Sequence, residues 1–374
     1  MILKEGEVVF EVPDKLTVTK KDEVFYNPRM KTCRDISIAV IQAFLNLYHK
    51  KDKFYIADAL AGSGIRGLRY AKELEFNGDL KVFLNDINPK AYEKIINNAK
   101  LNKIKNIEVF NEDANTFLSK HFRFFNVVDI DPFGSPAPYI DQAIRSLVTR
   151  NGLLCLTATD TAALCGRAKK SCLRKYLAYP LFGRDCHEFA LRILVGYAMR
   201  MATKYEIALK PVFCHATDHY VRVYLITDRG AKRADKVFDM LGYVKDVNGV
   251  KIIKRFEEGY EKGFAGPLYI DNLYDKALVE GALKIAEKRG LSERVLKILN
   301  AIKGEADVNQ VGCYDTHQIG KMLKISVPPM QDIITQLKEM GFKATVTHYN
   351  PKGIKTDATL KNVIEAMYRC NDIR

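Results

Sequence analysis

Up to about Asp228, short apolar runs alternate along the chain with longer amphipathic stretches. Apolar runs of this length predict buried strands, and the stretches between them predict helices that cover a sheet. The predicted strands are Phe54–Leu60, Lys81–Leu84, Ile107–Phe110, Val127–Ile130 and Leu153–Thr157. This order indicates an α/β fold with a doubly wound parallel sheet, whose ligands bind beyond the carboxyl ends of the strands.

The end of this pattern departs from that of an ordinary dinucleotide-binding domain. A long helical stretch, Cys186–Thr203, leads into two β-rich runs, Tyr205–Cys214 and Tyr220–Thr227, with a short polar turn between them. We expect an antiparallel hairpin there. A parallel sheet closed by such a hairpin is the plan of the Rossmann-like class I methyltransferases that use S-adenosylmethionine (SAM), whereas dehydrogenases close with a parallel strand.

The second half of the chain has a different composition, and we predict two domains, residues 1–230 and 231–374. Two segments, Gly242–Gly249 and Gly259–Pro267, are predicted to be irregular, and helical runs follow at Asp275–Arg289 and Ser292–Lys303. The second domain is therefore expected to be of the α+β type.

The last sixty residues predict a winged-helix-like part within that second domain. Two short amphipathic helices, Thr316–Lys324 and Pro329–Met340, are followed by Gly341 as a C-cap. Phe342–His348 and Ile354–Asp357 then predict a hairpin. Helix, turn, helix and hairpin are typical of nucleic-acid or protein interaction modules, and a plain helical cap on the first domain is the alternative.

The charge of the chain points to an acidic partner. Its 59 basic and 45 acidic residues give a formal charge of +14, with a basic excess on both sides of Gly230. An excess spread over two domains suggests a polyanion that contacts both, most simply a nucleic acid, although solvated lysines give the same count in many proteins. No apolar run is long enough to span a bilayer and no signal peptide is evident, so we expect a cytoplasmic protein.

A cofactor site is predicted where the first three strands end. Asp58 and a glycine turn with Gly62 and Gly64 follow the first strand, and Asp86 ends the second, where a carboxylate can accept both ribose hydroxyls. Nicotinamide, flavin and SAM sites all use such a turn. Asp113 follows the third strand, where methyltransferases place an acid for the adenine amino group, and an ordinary helix N-cap is the alternative interpretation.

The stretch Asp131-Pro132-Phe133-Gly134 follows the fourth strand and predicts the chemistry. A carboxylate, a free carbonyl and an aromatic face at one turn can hold a planar amine for methyl transfer. Upstream, Phe25 can face Phe133 across a flat base, and Arg34 can clamp the methionine carboxylate of SAM. A core aromatic and a surface arginine are the alternative interpretations of these two residues.

Together, five strings resemble the archaeal and eukaryotic tRNA guanosine-26 N2-dimethyltransferases, the Trm-one family. They are Phe25-Tyr26-Asn27-Pro28, Arg34-Asp35, Gly64-Ile65-Arg66-Gly67, Asp131-Pro132-Phe133-Gly134-Ser135-Pro136 and Thr159-Asp160-Thr161-Ala162. The resemblance covers nearly the whole chain and implies mono- and dimethylation of the exocyclic amine of guanine 26.

The resemblance also implies roles for individual residues. Asp131 matches the catalytic acid, and the base-holding aromatics are Phe25 and Phe133, with the Pro132 carbonyl beside them. The positions that match SAM-binding residues of the family are Arg34, Arg66, Asp86, Asp113 and Ala114. Many members carry cysteine pairs before a Gly-Pro-aromatic string, but residues 242–266 contain none, so we expect no metal site. We also expect a monomer.

Three other interpretations stay open at this stage. Another amino methyltransferase, acting on adenine N6 or a glutamine side chain, usually has a second proline where this chain has Phe133. A non-enzymatic winged-helix regulator and a dehydrogenase are the others. Cys186 and His187 can suggest a nucleophilic pair, but adjacent helical residues point about 100° apart, so we interpret them as packing residues. The eight cysteines offer no Cys-x-x-Cys pair and are expected to be reduced.

Overall fold

The computed structural model describes residues 1–12 and 24–372. Its strands are β1 Ile2–Glu5, β2 Val8–Glu11, β3 Lys53–Asp58, β4 Asp79–Asn85, β5 Ile107–Phe110, β6 Val127–Ile130, β7 Arg150–Ala158, β8 Ile207–Thr217, β9 Tyr220–Arg229, β10 Leu241–Val247, β11 Val250–Arg255, β12 Ala265–Tyr269, β13 Tyr314–Asp315, β14 Ala344–Val346 and β15 Gly353–Thr356. Its α-helices are α1 Lys31–Tyr48, α2 Ile65–Glu73, α3 Pro89–Leu101, α4 Ala114–Lys120, α5 Ile140–Ser146, α6 Thr161–Leu164, α7 Lys169–Tyr176, α8 Cys186–Thr203, α9 Ala231–Asp235, α10 Lys276–Lys288, α11 Glu293–Asp307, α12 Thr316–Leu323, α13 Met330–Glu339 and α14 Leu360–Asp372.

The central sheet has seven strands in the order β5-β4-β3-β6-β7-β9-β8. The five strands from β5 to β7 are parallel, and β9 pairs antiparallel with both β7 and β8. The predicted doubly wound sheet with a closing hairpin is therefore confirmed. Because β3 and β6 are adjacent while their helices cover opposite faces, the crevice beyond their carboxyl ends is the expected place for a ligand.

The segment predicted to be irregular, Gly242–Gly249, is a strand. β10 pairs with β11 and β12 in a separate three-stranded antiparallel sheet, and the turn between β10 and β11 is Asn248-Gly249. Both turn residues have positive φ, at 55° and 90°. Asn-Gly between two β-rich runs is a strong hairpin signal, so the prediction was wrong because it counted these residues as loop formers only. The second irregular segment, Gly259–Pro267, likewise includes the start of β12.

The apolar core does not follow the predicted division at residue 230. One cluster of buried side chains extends from Val8 to Val311, and α10 lies against α1 with Gly281 facing Ala43. A second cluster, from Ile319 to Cys370, is the core of the part predicted to be winged-helix-like. The boundaries of the two domains stay a prediction.

The winged-helix-like part has the predicted helices α12 and α13 and the predicted hairpin of β14 and β15. The helix α14, which follows the hairpin, was not predicted. Gly341 has a φ of 89°, as expected of a C-cap glycine. Glu188 on α8 connects this part to the larger apolar core, because its carboxylate accepts from Lys355 at 2.9 Å and from the Tyr349 hydroxyl. Burial alone would raise the pKa of Glu188, but Lys355 and Arg192 hold it well below its usual range.

Candidate active site

A cavity of about 670 Å³ opens beyond the carboxyl ends of β3, β6 and β7. Its walls come from five segments of the chain, which are residues 25–34 before and within α1, the turn 58–66 after β3, the turn 131–134 after β6, residues 159–160 after β7, and residues 218–220 between β8 and β9. The first segment brings Phe25 and Arg34 into the wall of this cavity. A cavity of this size is typical of a site for a cofactor or a small substrate.

The turn after β3 brings backbone close to the opposite wall. Gly62 has a φ of 53°, and a Cβ built on it would lie 2.9 Å from the Phe25 carbonyl oxygen. Gly64 precedes α2 with a φ of 79°, and a Cβ there would meet Ile95 at 2.9 Å. Both positions therefore require glycine. The N-terminus of α2 follows directly and presents its N–H groups toward this turn.

Asp58 lines the cavity, and its side chain accepts a hydrogen bond from the protein backbone. Its Oδ2 accepts from the Gly67 N–H at 3.0 Å. Burial, followed by repulsion from Asp129, raises the pKa of Asp58 to about 7. Its carboxyl group is therefore a buried acid that titrates near neutrality.

The Asp86 side chain contacts the glycine turn by accepting hydrogen bonds from backbone N–H groups. Its Oδ2 accepts from the Gly62 N–H at 2.8 Å and its Oδ1 from the Asn88 N–H at 2.9 Å. This carboxylate fixes the glycine turn and stays beside it, where a ribose is expected. Asp86, Asp113 and Ala114 are not among the residues that line the cavity. Asp113 caps α4 through the Asn115 and Thr116 N–H groups. The adenine-binding role of Asp113 and Ala114 stays a prediction.

Arg34 lines the cavity but already has a carboxylate partner. Its Nε and Nη2 donate to the two oxygens of Glu5, each at 2.6 Å, and this pair is buried. Burial raises the pKa of Glu5, but Arg34 and Arg69 outweigh that and lower it to about 2. A clamp on a ligand carboxylate would need the remaining Nη1 or an exchange of partners, so the predicted role of Arg34 is not tested by this geometry.

Asp131 stands at the carboxyl end of β6 with its side chain 18% exposed. Its Oδ2 accepts from Arg66 Nη2, and Arg66 is itself almost fully buried. Arg66 Nη1 also lies 3.6 Å from Asp129 Oδ2 and donates to Ser37 Oγ at 3.1 Å. Arg66, expected from the family resemblance to bind SAM, is thus the side chain that fixes Asp131.

Beneath Asp131 lies a group that the sequence analysis did not identify. Asp129 and Arg222 are fully buried and form a two-point pair at 2.9 and 2.6 Å, and Tyr70 donates to Asp129 at 2.6 Å. Burial would raise the pKa of Asp129, but Arg222 and Arg66 hold it below its usual range. We call Asp129, Arg222, Tyr70 and Arg66 the buried ionic layer. A charged residue inside the apolar run of β6 was the available signal, because such a residue needs a buried partner.

The aromatic rings of Phe25 and Phe133 meet at the mouth of the cavity. Their centroids are 6.0 Å apart and their planes are nearly perpendicular, at 89°. Phe133 is 51% exposed. The turn that carries it is fixed by two hydrogen bonds between Gly134 and Thr159. The predicted residues are together, but a flat base can lie between parallel faces only after one ring turns.

The turn between β8 and β9 forms a wall that the sequence analysis missed. Asp218, His219 and Tyr220 line the cavity there, and Asp218 also pairs with Arg294 of α11 at 2.6 Å. The polar turn was predicted only as a connection between strands. Its contribution follows from the antiparallel hairpin, which returns the chain to the carboxyl edge of the sheet.

Cys186 and His187 are not simple packing residues. The Cys186 Sγ and His187 Nδ1 atoms are 3.9 Å apart, which contradicts the expectation that the two side chains cannot meet. Both lie in the first turn of α8, where no preceding turn restricts the histidine ring, so it can swing back toward the cysteine. A hydrogen bond from Cys165, followed by contact with His187, lowers the pKa of the Cys186 thiol to about 5 against the effect of burial.

The sequence matches the family described as "N2,N2-dimethylguanosine tRNA methyltransferase" over residues 6–368. The chain belongs to this family. It is 92% identical over the full length of both chains to the tRNA (guanine(26)-N(2))-dimethyltransferase of Methanocaldococcus jannaschii. It is 39% identical to the enzyme of that name from Methanothermobacter thermautotrophicus, with 98% of each chain covered.

A solved structure agrees with this family assignment. Trm1 from Pyrococcus horikoshii, in complex with S-adenosyl-L-methionine, superposes with a TM-score of 0.87 at 35% identity, over 98% of this chain and 99% of that one. The predicted fold class, a Rossmann-like class I methyltransferase domain, is confirmed. None of the helices in residues 1–12 and 24–372 is both long and apolar enough to cross a membrane.

Proposed function

We propose that this protein is a SAM-dependent tRNA methyltransferase that transfers one and then a second methyl group to the exocyclic N2 of guanosine 26. The observation that carries the proposal is the placement of Asp131 in one cavity with Phe25, Phe133 and the glycine turn after β3. Membership of the N2,N2-dimethylguanosine tRNA methyltransferase family supports it. The family assignment also disfavours the adenine, glutamine, dehydrogenase and regulator interpretations.

The cavity has the features that a SAM site needs. The tight turn at Gly62 and the Asp86 carboxylate beside it suit an adenosine ribose, and the acids at the end of β3 and β6 suit a sulfonium cation. SAM, when bound, supplies the electrophilic methyl group. We assign Asp58, Gly62, Gly64, Arg66, Asp86, Asp113, Ala114 and Arg34 to this half of the site.

Asp131 acts on the amine. The lone pair of guanine N2 is delocalised into the ring, so alignment is the main requirement, and ordered positioning can supply several kcal/mol. Because Arg66 occupies Oδ2 of Asp131, we assign Oδ1 to accept an amine hydrogen and to take the proton during or after transfer. The Pro132 carbonyl accepts the other hydrogen. Rotation about the exocyclic bond then presents the remaining hydrogen for the second transfer.

The buried ionic layer acts by positioning Asp131. Arg66 is placed between Asp129 below and Asp131 above, so a rotation of its guanidinium would break both contacts at once. Arg222 and Tyr70 hold Asp129 from the other side. A carboxylate fixed in this way loses little entropy when the amine arrives, which is how a stiff support contributes to catalysis.

Phe25 and Phe133 hold the base after it leaves the tRNA stack. Turning a base out costs a few kcal/mol, and stacking at about 1 to 3 kcal/mol per base offsets much of that. The free rings touch edge to face, so binding replaces this contact with two ring-to-base contacts. The exposed position of Phe133 leaves it room to turn.

The winged-helix-like part selects the position in tRNA, because the cavity itself reads only a base. Lys321 and Lys324 are exposed on and after α12, and phosphate contacts there would orient the RNA. We expect the double variant with Lys321→Glu and Lys324→Glu to weaken tRNA binding and to reduce the selectivity for position 26. Lys50→Glu with Lys51→Glu, just before β3 at the opposite edge of the sheet, is the matched control. Equal effects of the two pairs would refute this role.

The function is tested with SAM and an unmodified tRNA transcript. We expect monomethylated and then dimethylated guanosine at position 26, and no product with adenosine at that position. Methylation of another nucleotide in both transcripts would overturn the proposal. We also propose that the protein acts as a monomer, because one chain supplies all five lining segments of the cavity. We further propose that it acts in the cytoplasm, where tRNA is available as substrate.

A further inference from the structure

Three side chains with metal-binding atoms come together outside the catalytic cavity. Cys165 Sγ, Cys186 Sγ and His187 Nδ1 all lie within 4.8 Å of one another. Cys165 is buried, and the other two are half-buried. We propose that these residues form a zinc site, with a water molecule or another oxygen ligand in the fourth position.

The distances fit a tetrahedral zinc centre closely. Zinc bonds of about 2.3 Å to sulfur and about 2.0 to 2.1 Å to nitrogen place the ligand atoms roughly 3.6 to 3.8 Å apart. The Cys186 Sγ and His187 Nδ1 atoms are already 3.9 Å apart. The remaining separations must close by at most about 1 Å, which a rotation of side chains can supply.

The ligand types also select zinc. Two thiolates and an imidazole are soft or borderline donors, and no carboxylate belongs to the cluster. Magnesium and calcium prefer oxygen ligands, whereas zinc and copper(I) accept sulfur and nitrogen. Zinc binds the thiolate form of cysteine, so any proton still on a ligand sulfur leaves as the metal binds, and the site needs no oxidant or reductant.

The position of the site in the fold explains how the metal would act. Cys165 directly follows α6 and Cys186 begins α8, so the metal would join two helix ends that are 21 residues apart. The segment before α6 carries Thr159 and Asp160, which line the catalytic cavity. Thr159 in turn holds Gly134 of the turn that carries Phe133. The metal would therefore stiffen one wall of the active site without contacting the substrate.

The spacing along the chain concealed this site from the sequence analysis. Metal sites are recognised from pairs such as Cys-x-x-Cys, and the chain has none. The neighbouring Asp185 has other partners, because it pairs with Lys251 at 2.7 Å and accepts from the Cys313 thiol at 2.9 Å. It is thus not a candidate for the fourth ligand.

The test is a metal titration of the full chain, reduced and stripped with a chelator. We expect cobalt(II) to bind with one ion per chain and to give a thiolate-to-cobalt absorption band in the near ultraviolet, and zinc to displace it. Cys165→Ala, Cys186→Ala and His187→Ala should each weaken binding by at least about 10-fold. Cys214→Ala, which removes a buried thiol outside the cluster, should leave it unchanged.

Thermal melting gives a second readout that does not depend on activity. Zinc at about 100 times its dissociation constant should raise the melting temperature of the wild type and of Cys214→Ala by a few degrees. At the same zinc concentration, a 10-fold loss of affinity should reduce the rise in the three cluster variants to about half of that or less. Three results would each overturn the proposal. They are the absence of the charge-transfer band, equal zinc affinity in all variants, and a failure of the reduced chain to take up metal with Cys165 and Cys186 found joined as a disulfide.

Discussion

The mouth of the catalytic cavity and the layer beneath it are built from the same strand but differ in almost every physical respect. Asp131 and Phe133 at the mouth are partly exposed, with 18% of the Asp131 side chain and 51% of Phe133 accessible to solvent. Asp129, two residues earlier, is fully buried and bound by Arg222 and Tyr70. The difference separates two tasks, since exposed groups can meet a substrate and buried charges can hold those groups in place.

This division has an energetic reason. Removing one member of a buried pair leaves an uncompensated charge, which typically costs about 3 to 5 kcal/mol. A partly exposed acid can be replaced with little effect on stability. Changes at the mouth should therefore affect turnover more than stability, whereas changes in the buried ionic layer should affect stability and turnover together.

The largest effect on turnover is expected at Asp131. Asp131→Ala removes the acceptor of the amine proton, and we expect kcat to fall by about 10² to 10⁴-fold. The melting temperature should fall less than after a change in the buried ionic layer, because Arg66 loses Asp131 but keeps Asp129 and Ser37 as partners, and SAM affinity should change little. Single-turnover methyl transfer and SAM titration measure the two effects, and Asp131→Asn, which keeps the shape of the side chain, is the matched control for packing. Full activity of Asp131→Ala would contradict the proposed role.

Arg222→Met should combine both effects. It leaves Asp129 without its two-point partner, so we expect a loss of roughly 3 to 5 kcal/mol of stability and a lower kcat. The double variant Asp129→Asn with Arg222→Met should recover part of the stability, because it removes both charges. If Arg222→Met melted at the same temperature as the wild type, the buried ionic layer would not stabilise the fold, and the proposed difference between this layer and the mouth would be wrong.

Asp58 links the two regions through its charge. Its pKa is raised in the folded state by burial and by Asp129, so its contribution to stability is fully present below about pH 3.8 and is lost as the pH rises through about 7. Relative to Asp58→Asn, the wild type should lose stability over this range, by at most about 4 kcal/mol. Melting temperatures from pH 4 to 8 measure this, and a constant difference would refute it.

The smallest expected effect is at the aromatic mouth. Phe133→Ala should raise the KM for tRNA or lower kcat/KM by about 5- to 150-fold, equivalent to about 1 to 3 kcal/mol of stacking. Phe122→Ala, which removes an exposed ring that does not line the cavity, is the control. If both variants behaved alike, stacking on Phe133 would not be needed.

The sequence predicted the mouth of the cavity better than its support. Strand periodicity places Asp131, Phe133 and Gly62 at the ends of strands, and strand ends share one edge of a parallel sheet. The pair of Asp129 and Arg222 spans 93 residues and arises only when β6, β7 and β9 are assembled. The local pattern around Asp129 indicates that this residue needs a buried partner, but it does not indicate that Arg222 is the partner.

The errors have equally local causes. Asn248-Gly249 was assigned to an irregular segment although it forms the turn of the β10–β11 hairpin. Cys186 and His187 were judged from ideal helix geometry, which holds for Cβ directions and not for the ends of side chains in a first turn. In both cases, the conformation of two neighbouring residues differed from the conformation expected from the average of their segment.

The central claim is that the cavity acts on the exocyclic amine of guanine 26, and a tRNA with inosine at that position tests it most directly. Inosine keeps the ring system but lacks the N2 amine, so stacking on Phe25 and Phe133 is preserved while the reacting atom is removed. The account predicts that this tRNA binds with nearly unchanged affinity and accepts no methyl group. Methylation of inosine 26 at any atom would contradict it.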